Sequence, residues 1–193
     1  DKNEAQKVLD VLNGEAEVLS FEKTTKKTQP DQLYKLTDIQ VEAGSKYGYT
    51  PEKTLELIQS LYERHKLISY PRTDGRYVST EKSKDFARLL KAVEAMPSLS
   101  AAAKTVTPEA IAAAQGNKRF VNDVEVQKSS HDALIPTGDT AALANLSMDE
   151  MHICEMIFKR FLAIFFPPLE EEKTKAVLAD NNIKFSCTGS KVV

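Results

Sequence analysis

The sequence predicts a mainly α protein with flanking β, an α+β chain in which one helical domain is inserted between two β-rich pieces. Through the middle of the chain, from Gln32 onward, apolar residues recur at spacings of three and four, the period of a helix packed on one face. On either side, "EAEVLSFEKTTKK" and "TKAVLADNNIKFSCTGSKVV" alternate loosely, as half-buried strands do. Prolines mark both seams, in "TQPD" and at Pro167 and Pro168. The expected division is a β-rich segment over 1–30, a helical domain over 31–166 and a return to the β-rich domain over 167–193.

"DKNEAQKVLDVLNG" sets Ala5, Val8, Leu9 and Leu12 on one helical face, with Gly14 as the stop. The strand that follows carries Val18 and Phe21, while Leu19 breaks its period. Leu33, Leu36, Ile39, Gln40 and Ala43 describe the next helix, which "GSKYGYTPEKT" closes. Thr50 is a natural N-cap with Pro51 at the first helical position, and Leu55, Ile58, Leu61 and Tyr62 face inward on that helix. "LISYPRTDGRYV" reads as extended, and "STEKSKDFARLLKAVEAM" resumes helix behind Ser79 or Thr80. "TPEAIAAAQ" repeats the Thr-Pro opening; "RFVNDVEVQKSSHDALIPTG" reads as extended residues and a loop; "SMDEMHICEMIFKRFLAIFF" is a long apolar helix. Asn181-Asn182 is an acceptable hairpin turn between the last two strands.

Composition narrows the function classes. With 26 Lys+Arg against 28 Asp+Glu the net charge of the 193 residues is -2, so the chain lacks the basic excess of a generic nucleic-acid binder. Contact with phosphate has to come from a local cluster. Cys154 and Cys187 stand far apart without CxxC spacing, which suggests neither a disulfide framework nor a zinc site and points to reduced thiols in the cytoplasm. The run "FLAIFFPP" is too short to span a bilayer, so no membrane partner is expected. A start without methionine, directly in a charged helical pattern, suggests a piece of something longer.

The stretch "KLISYPRTDGRYVS" carries chemistry. In an extended segment residues i and i+2 share a side, so Tyr70 and Arg72 project together and Pro71 faces away. Pro71 fixes its own φ and keeps Ser69 out of helical geometry; Asp74-Gly75 then reads as a turn. A guanidinium grips a phosphate oxygen and favours the phenolate of a neighbour whose ordinary pKa is about 10. A tyrosine attacking a phosphodiester forms a phosphotyrosine whose leaving group lets the exchange run backwards. Taken alone, a Tyr-Pro-Arg tripeptide is more often an edge-strand aromatic beside a solvated charge. His131, in "SSHDALIPTG", is a candidate phosphate ligand or proton carrier, or else half of a local His131-Asp132 pair. His65 and His152 lie in helical patterns and read as structural or surface.

Together these blocks resemble the type IA DNA topoisomerases. "LISYPRTDGRYVS" looks like their active-site tyrosine signature, and its Tyr-Pro-Arg-Thr-Asp form is nearest the topoisomerase III branch. "LYKLT", "QSLYE", "HDALIPTG" and "FKRFLAIFFPP" follow the family's order, and the resemblance covers most of residues 29–193. It implies that Tyr70 attacks one DNA strand and links to its 5′ phosphate, that Arg72 positions the phosphate, and that His131 sits beside it in the same cleft. Arg72, Arg76, Lys128, Ser130 and Thr137 are the expected DNA-contacting residues. It further implies a mobile helical domain inserted between strands of an arch, and an ATP-independent isomerase that cuts one strand, passes another and reseals. Gly75 departs from the family, where serine or cysteine is frequent, and Asp132 from a frequent second histidine.

The family's magnesium, held by an N-terminal metal-binding domain, has no counterpart in the acidic residues here, so no metal ligand is assigned. Single-stranded DNA and that domain are the implied partners, the location is the cytoplasm at the nucleoid, and the isolated chain is expected to be inactive. The rival expectation is a non-enzymatic single-strand DNA-binding module, with Arg72, Arg76 and Lys128 on phosphates and Tyr70 or Tyr77 stacking on bases. A helical protein-interaction domain is a third, resting on the apolar helix 151–166.

Overall fold

In the computed structural model, which describes residues 1–193, the alternating runs at the two ends pair into one antiparallel sheet. Its strands are β1 (Glu17–Thr28), β2 (Leu169–Asp180) and β3 (Ile183–Val192), in the order β1-β2-β3. Leu19, which broke the alternation, is the extra residue of a β-bulge: Val18 pairs with Leu178 and Ser20 with Val177. The bulge restores the period for the rest of the strand. Asn181 and Asn182 both take left-handed φ, at 46° and 65°, as a two-residue hairpin loop matched to strand twist requires. Lys23–Glu172 and Lys27–Glu170 pair across β1 and β2.

The chain divides into two compact units, one of Asp1–Gln29 with Pro168–Val193 and one of Pro30–Pro167. In the first, α1 (Lys2–Asp10) precedes the sheet. Asp180 accepts hydrogen bonds from the backbone N–H groups of Asn13 and Gly14, each at 3.0 Å, and so fixes the chain after α1 to the hairpin. No residue of α1 is buried, and every residue of β1 is exposed.

The second unit is helical. α2 (Leu36–Tyr47) ends at Gly48, whose φ of 71° supplies the left-handed C-cap. α3 (Pro51–Glu63) starts as the sequence dictates, with Thr50 accepting from Lys53 N–H. What reads as one helix after Ser79 is two, α4 (Thr80–Ser83) and α5 (Phe86–Glu94), because Lys84 and Asp85 close a turn between them. α6 (Pro97–Ala103) and α7 (Pro108–Gly116) follow. The stretch "NDVEVQKSS", expected to be extended or looped, holds α8 (Asp123–Ser129), capped by Asn122. A single 3₁₀ turn at Leu143–Asn145 precedes α9 (Met148–Ala163).

The core of this unit forms around α9, which packs against α3 and α5. Ile153, Cys154, Ile157, Phe158 and Phe161 are fully enclosed, and Phe86, Phe161 and Phe165 meet edge to face at 5.2–5.5 Å. Polar groups lock the same helices. Ser147 and Glu150 form a capping box at the start of α9, and Glu150 also accepts from Ser60 at 2.6 Å and contacts His65 Nε2 at 3.0 Å. These hydrogen bonds, that from Ser60 first, hold the Glu150 carboxyl down at about 2. Arg160 lies over the buried Tyr34 ring and donates to its hydroxyl, while pairing with Glu42 and Asp31. No helix is long and apolar enough to cross a membrane.

Candidate active site

Three non-helical segments lie side by side on the helical unit, and they carry the residues singled out from sequence. Leu134 N–H donates to Tyr34 O, and Leu36 N–H to Thr73 O. Segments 66–78 and 131–137 are stitched to each other more tightly. Ser69 N–H donates to Ile135 O, Thr137 N–H to Leu67 O and Ala133 N–H to Tyr77 O. The Ser69 hydroxyl donates to Ala133 O at 2.8 Å and accepts from Ile135 N–H at 3.0 Å. A serine side chain thus bridges the two segments immediately before Tyr70.

From Tyr70 burial alternates residue by residue, although the expected extended segment is bent at Pro71 and Arg72. Tyr70, Arg72 and Asp74 are exposed, and Pro71, Thr73 and Gly75 are buried. Tyr70 and Arg72 are thus both exposed, on either side of a bend in the chain at Pro71 and Arg72. The expected turn at Asp74-Gly75 does not form: the chain bends earlier, at Pro71 and Arg72, and the φ of Gly75 is not positive. Glycine is needed there for space instead. A β-carbon at position 75 would meet His131 O at 2.6 Å and Ser129 Oγ at 2.7 Å, so its absence lets the two segments close on each other.

That closure brings His131 to Tyr70. Their ring centroids are 4.5 Å apart with the planes tilted by 39°, in a site where Tyr70 keeps 38% of its surface exposed. On its other side Tyr70 meets Tyr62 edge to face at 5.6 Å. His131 does not pair with Asp132, because the Asp132 carboxylate accepts from Ser79 N–H at 2.7 Å. Ser130, at a left-handed φ of 62°, forms the C-cap of α8 and turns the chain into His131.

The remaining sequence-predicted residues divide by what they already hold. Arg76 makes two hydrogen bonds to Asp38, both at 2.6 Å, and that pair ties the segment to α2. Lys128 bonds to Glu125 at 2.6 Å but stays largely exposed. Both line an open cleft of about 430 Å³ with Lys35, Asp74, Gly75 and Ser129. Lys35 was not singled out from sequence, since a lysine before a helix carries no signal of its own. Thr137 uses its hydroxyl to donate to Lys66 O at 2.6 Å, which ties the end of the His131 segment to the start of the Tyr70 segment. His65 and His152 are structural: the first is buried against Glu150, and the second stacks on Tyr47 at 4.2 Å with ring planes 3° apart. No group of three or more His, Cys, Asp or Glu side chains is arranged to hold a metal ion.

A family model described as DNA topoisomerase matches residues 1–193. DNA topoisomerase 3 of Bacillus licheniformis is 36% identical over 177 residues, covering 92% of this chain and 24% of its own length. DNA topoisomerase 3 of Shouchella clausii is 36% identical over 194 residues, covering 100% of this chain and 26% of its own. The chain thus spans about a quarter of the length of the curated relatives it matches. Among solved structures, full-length topoisomerase I from Thermotoga maritima superposes with a TM-score of 0.67 at 24% identity, over 98% of this chain and 30% of that one.

Proposed function

Because this chain belongs to the DNA topoisomerase family, in its type IA, topoisomerase 3-like branch, we propose that it carries the nucleophile of an enzyme that cuts and reseals one DNA strand. The observation that supports this most directly is the contact between Tyr70 and His131, two rings 4.5 Å apart on segments held together by hydrogen bonds. In this reading the Tyr70 oxygen attacks a backbone phosphorus. The bond to the 3′ oxygen breaks, that oxygen leaves with a proton as a 3′ hydroxyl, and the 5′ phosphate remains on the tyrosine. Attack by the same hydroxyl reverses the exchange, so resealing needs no ATP.

Arg72, exposed beside Tyr70, holds the phosphate charge, and His131 lies against the phenol ring as phosphate ligand or proton carrier. Lys128 and Ser130 extend the contact along the strand. Arg76, with two nitrogens on Asp38, offers only its remaining N–H groups. Thr137 serves the loop geometry first. These residues do not fit a magnesium ion; in this proposal residues outside this chain would hold it, and it would supply electrostatic stabilisation of the phosphate. We place the enzyme in the cytoplasm, on nucleoid DNA.

The test is covalent capture. With the rest of the protein and magnesium present, detergent quenching traps DNA on the wild-type chain and none on Tyr70→Phe. The 193 residues alone give no adduct and relax no plasmid. An adduct retained by Tyr70→Phe overturns the nucleophile assignment. Single-strand binding with no adduct under any condition moves the chain to the non-enzymatic binding module.

A further inference from the structure

We propose that Tyr62 is the positioning residue of the nucleophile: it fixes the Tyr70 ring so that the phenol oxygen is presented in one orientation. The inference rests on Tyr70 being the attacking group. Tyr70 stands on a segment that is neither helix nor strand and is 38% exposed. Its backbone is held by the Ser69 hydrogen bonds before it and by the buried Pro71 after it. Backbone restraint does not settle the side chain, which has staggered wells of its own. Two rings settle it. His131 lies against Tyr70 at 4.5 Å, and Tyr62 stands perpendicular to it, at 89° and 5.6 Å.

The two neighbours are anchored differently. His131 is exposed at the start of its segment and is held through its main chain, whose carbonyl accepts from the Ser129 hydroxyl at 2.8 Å. Tyr62 projects from the last turn of α3, where Ile58 and Leu61 are fully enclosed in the core. The cationic Lys66 Nζ sits 5.6 Å from the Tyr62 ring on top of this. The ring of Tyr62 is therefore the fixed wall, an edge-to-face partner of favourable geometry, and Tyr70 leans on it. In-line attack on phosphorus tolerates little misplacement of the oxygen, so losing the wall slows the chemical step more than it weakens DNA binding.

The experiment uses the full-length protein and single-turnover cleavage of a labelled single strand, with affinity measured in parallel. Tyr62→Phe, which keeps the ring, cleaves at the wild-type rate. Tyr62→Leu forms the covalent adduct about ten- to a hundredfold more slowly with little change in affinity. Equal cleavage by Tyr62→Leu, an equal loss in affinity and rate, or failure of Tyr62→Phe to restore the rate overturns the proposal. A reading independent of any variant's folding comes from NMR of wild-type Tyr70, expected to show one χ1 rotamer and ring-current-shifted ring protons; rotamer averaging overturns it. If Tyr70→Phe abolishes the adduct while Tyr62→Leu leaves the rate intact, only the positioning role falls. If Tyr70→Phe keeps the adduct, the nucleophile assignment falls and this role with it.

Discussion

Gly75 lies against the main-chain carbonyl of His131 so closely that a β-carbon there would sit 2.6 Å from that oxygen. The contact is the seam along which the tyrosine segment and the histidine segment close. Gly75→Ser is expected to push the segments apart and to destabilise the chain by about 1–3 kcal/mol. Urea denaturation measures the loss, and loss of the ring-current shift between His131 and Tyr70 reports the separation.

Tyr70→Phe is expected to leave stability within about 0.5 kcal/mol of wild type, because an exposed phenol hydroxyl contributes little to the fold. On the proposed nucleophile role, the same substitution in the full-length protein is expected to abolish covalent capture of DNA. Thermal melting and detergent-quenched adduct formation check the two halves; an unfolded variant would leave its inactivity without meaning.

Glu150 sets an acid limit. Its carboxyl is held down at about 2 against an ordinary 4.5, first by the Ser60 hydroxyl, so the stability it provides is complete above about pH 4.5. That stability is lost as the pH falls from there towards 2, by about 3 kcal/mol in all. Glu150→Gln should lower stability at pH 7 and flatten the decline between pH 5 and 3 in urea titrations run across that range.

Lys128 and Arg76 should separate binding from folding. Lys128→Ala is expected to weaken single-strand DNA binding and reduce the slope of log affinity against log salt by about 0.7, with no change in stability. Arg76→Ala removes the partner of Asp38 and should lower stability by about 1 kcal/mol, a modest figure because the pair is partly exposed. Fluorescence anisotropy over a salt series, with urea melts of both variants, checks this.

The two cysteines differ in access. Burial pushes the Cys154 thiol up to about 12, whereas Cys187 is exposed on β3. A maleimide should label one thiol per native chain and two in urea, and Cys187→Ser should remove the native reaction. Mass spectrometry of the labelled protein reads the count.

Much of the fold was legible because local signals agreed with tertiary demand. The Thr50-Pro51 start, the Asn181-Asn182 turn and the alternation from Tyr70 to Thr73 each rest on one residue's own conformational limits. Departures arose where the partner mattered more than the local pattern. Asp74-Gly75 has the composition of a turn, yet Gly75 serves a neighbouring segment that no window of sequence contains. The helix at Asp123–Ser129 was hidden because its Val124 and Val126 favour extended structure, and only the Asn122 cap announced it. In the site, Tyr70 and His131 were readable from their motifs and the resemblance. Tyr62 read as core because it shares the period of Ile58, and its contact with Tyr70 spans the bend after α3. Lys35 carried no signal, since its place in the cleft depends on segments 74–76 and 125–129 folding beside it.

The pairing of Thr28 with Leu169 has a consequence for how such chains are assembled. These two residues close the same end of the sheet, and between them the whole of Pro30–Pro167 is spliced as one continuous excursion. To the sheet this is a hairpin loop of unusual length, and the entropy of closing a loop grows only with the logarithm of its length. A turn of about four residues would close the same ladder. The helical unit is thus, to the sheet, a single insert between Thr28 and Leu169, and the ladder's own hydrogen bonds run from strand to strand among β1, β2 and β3.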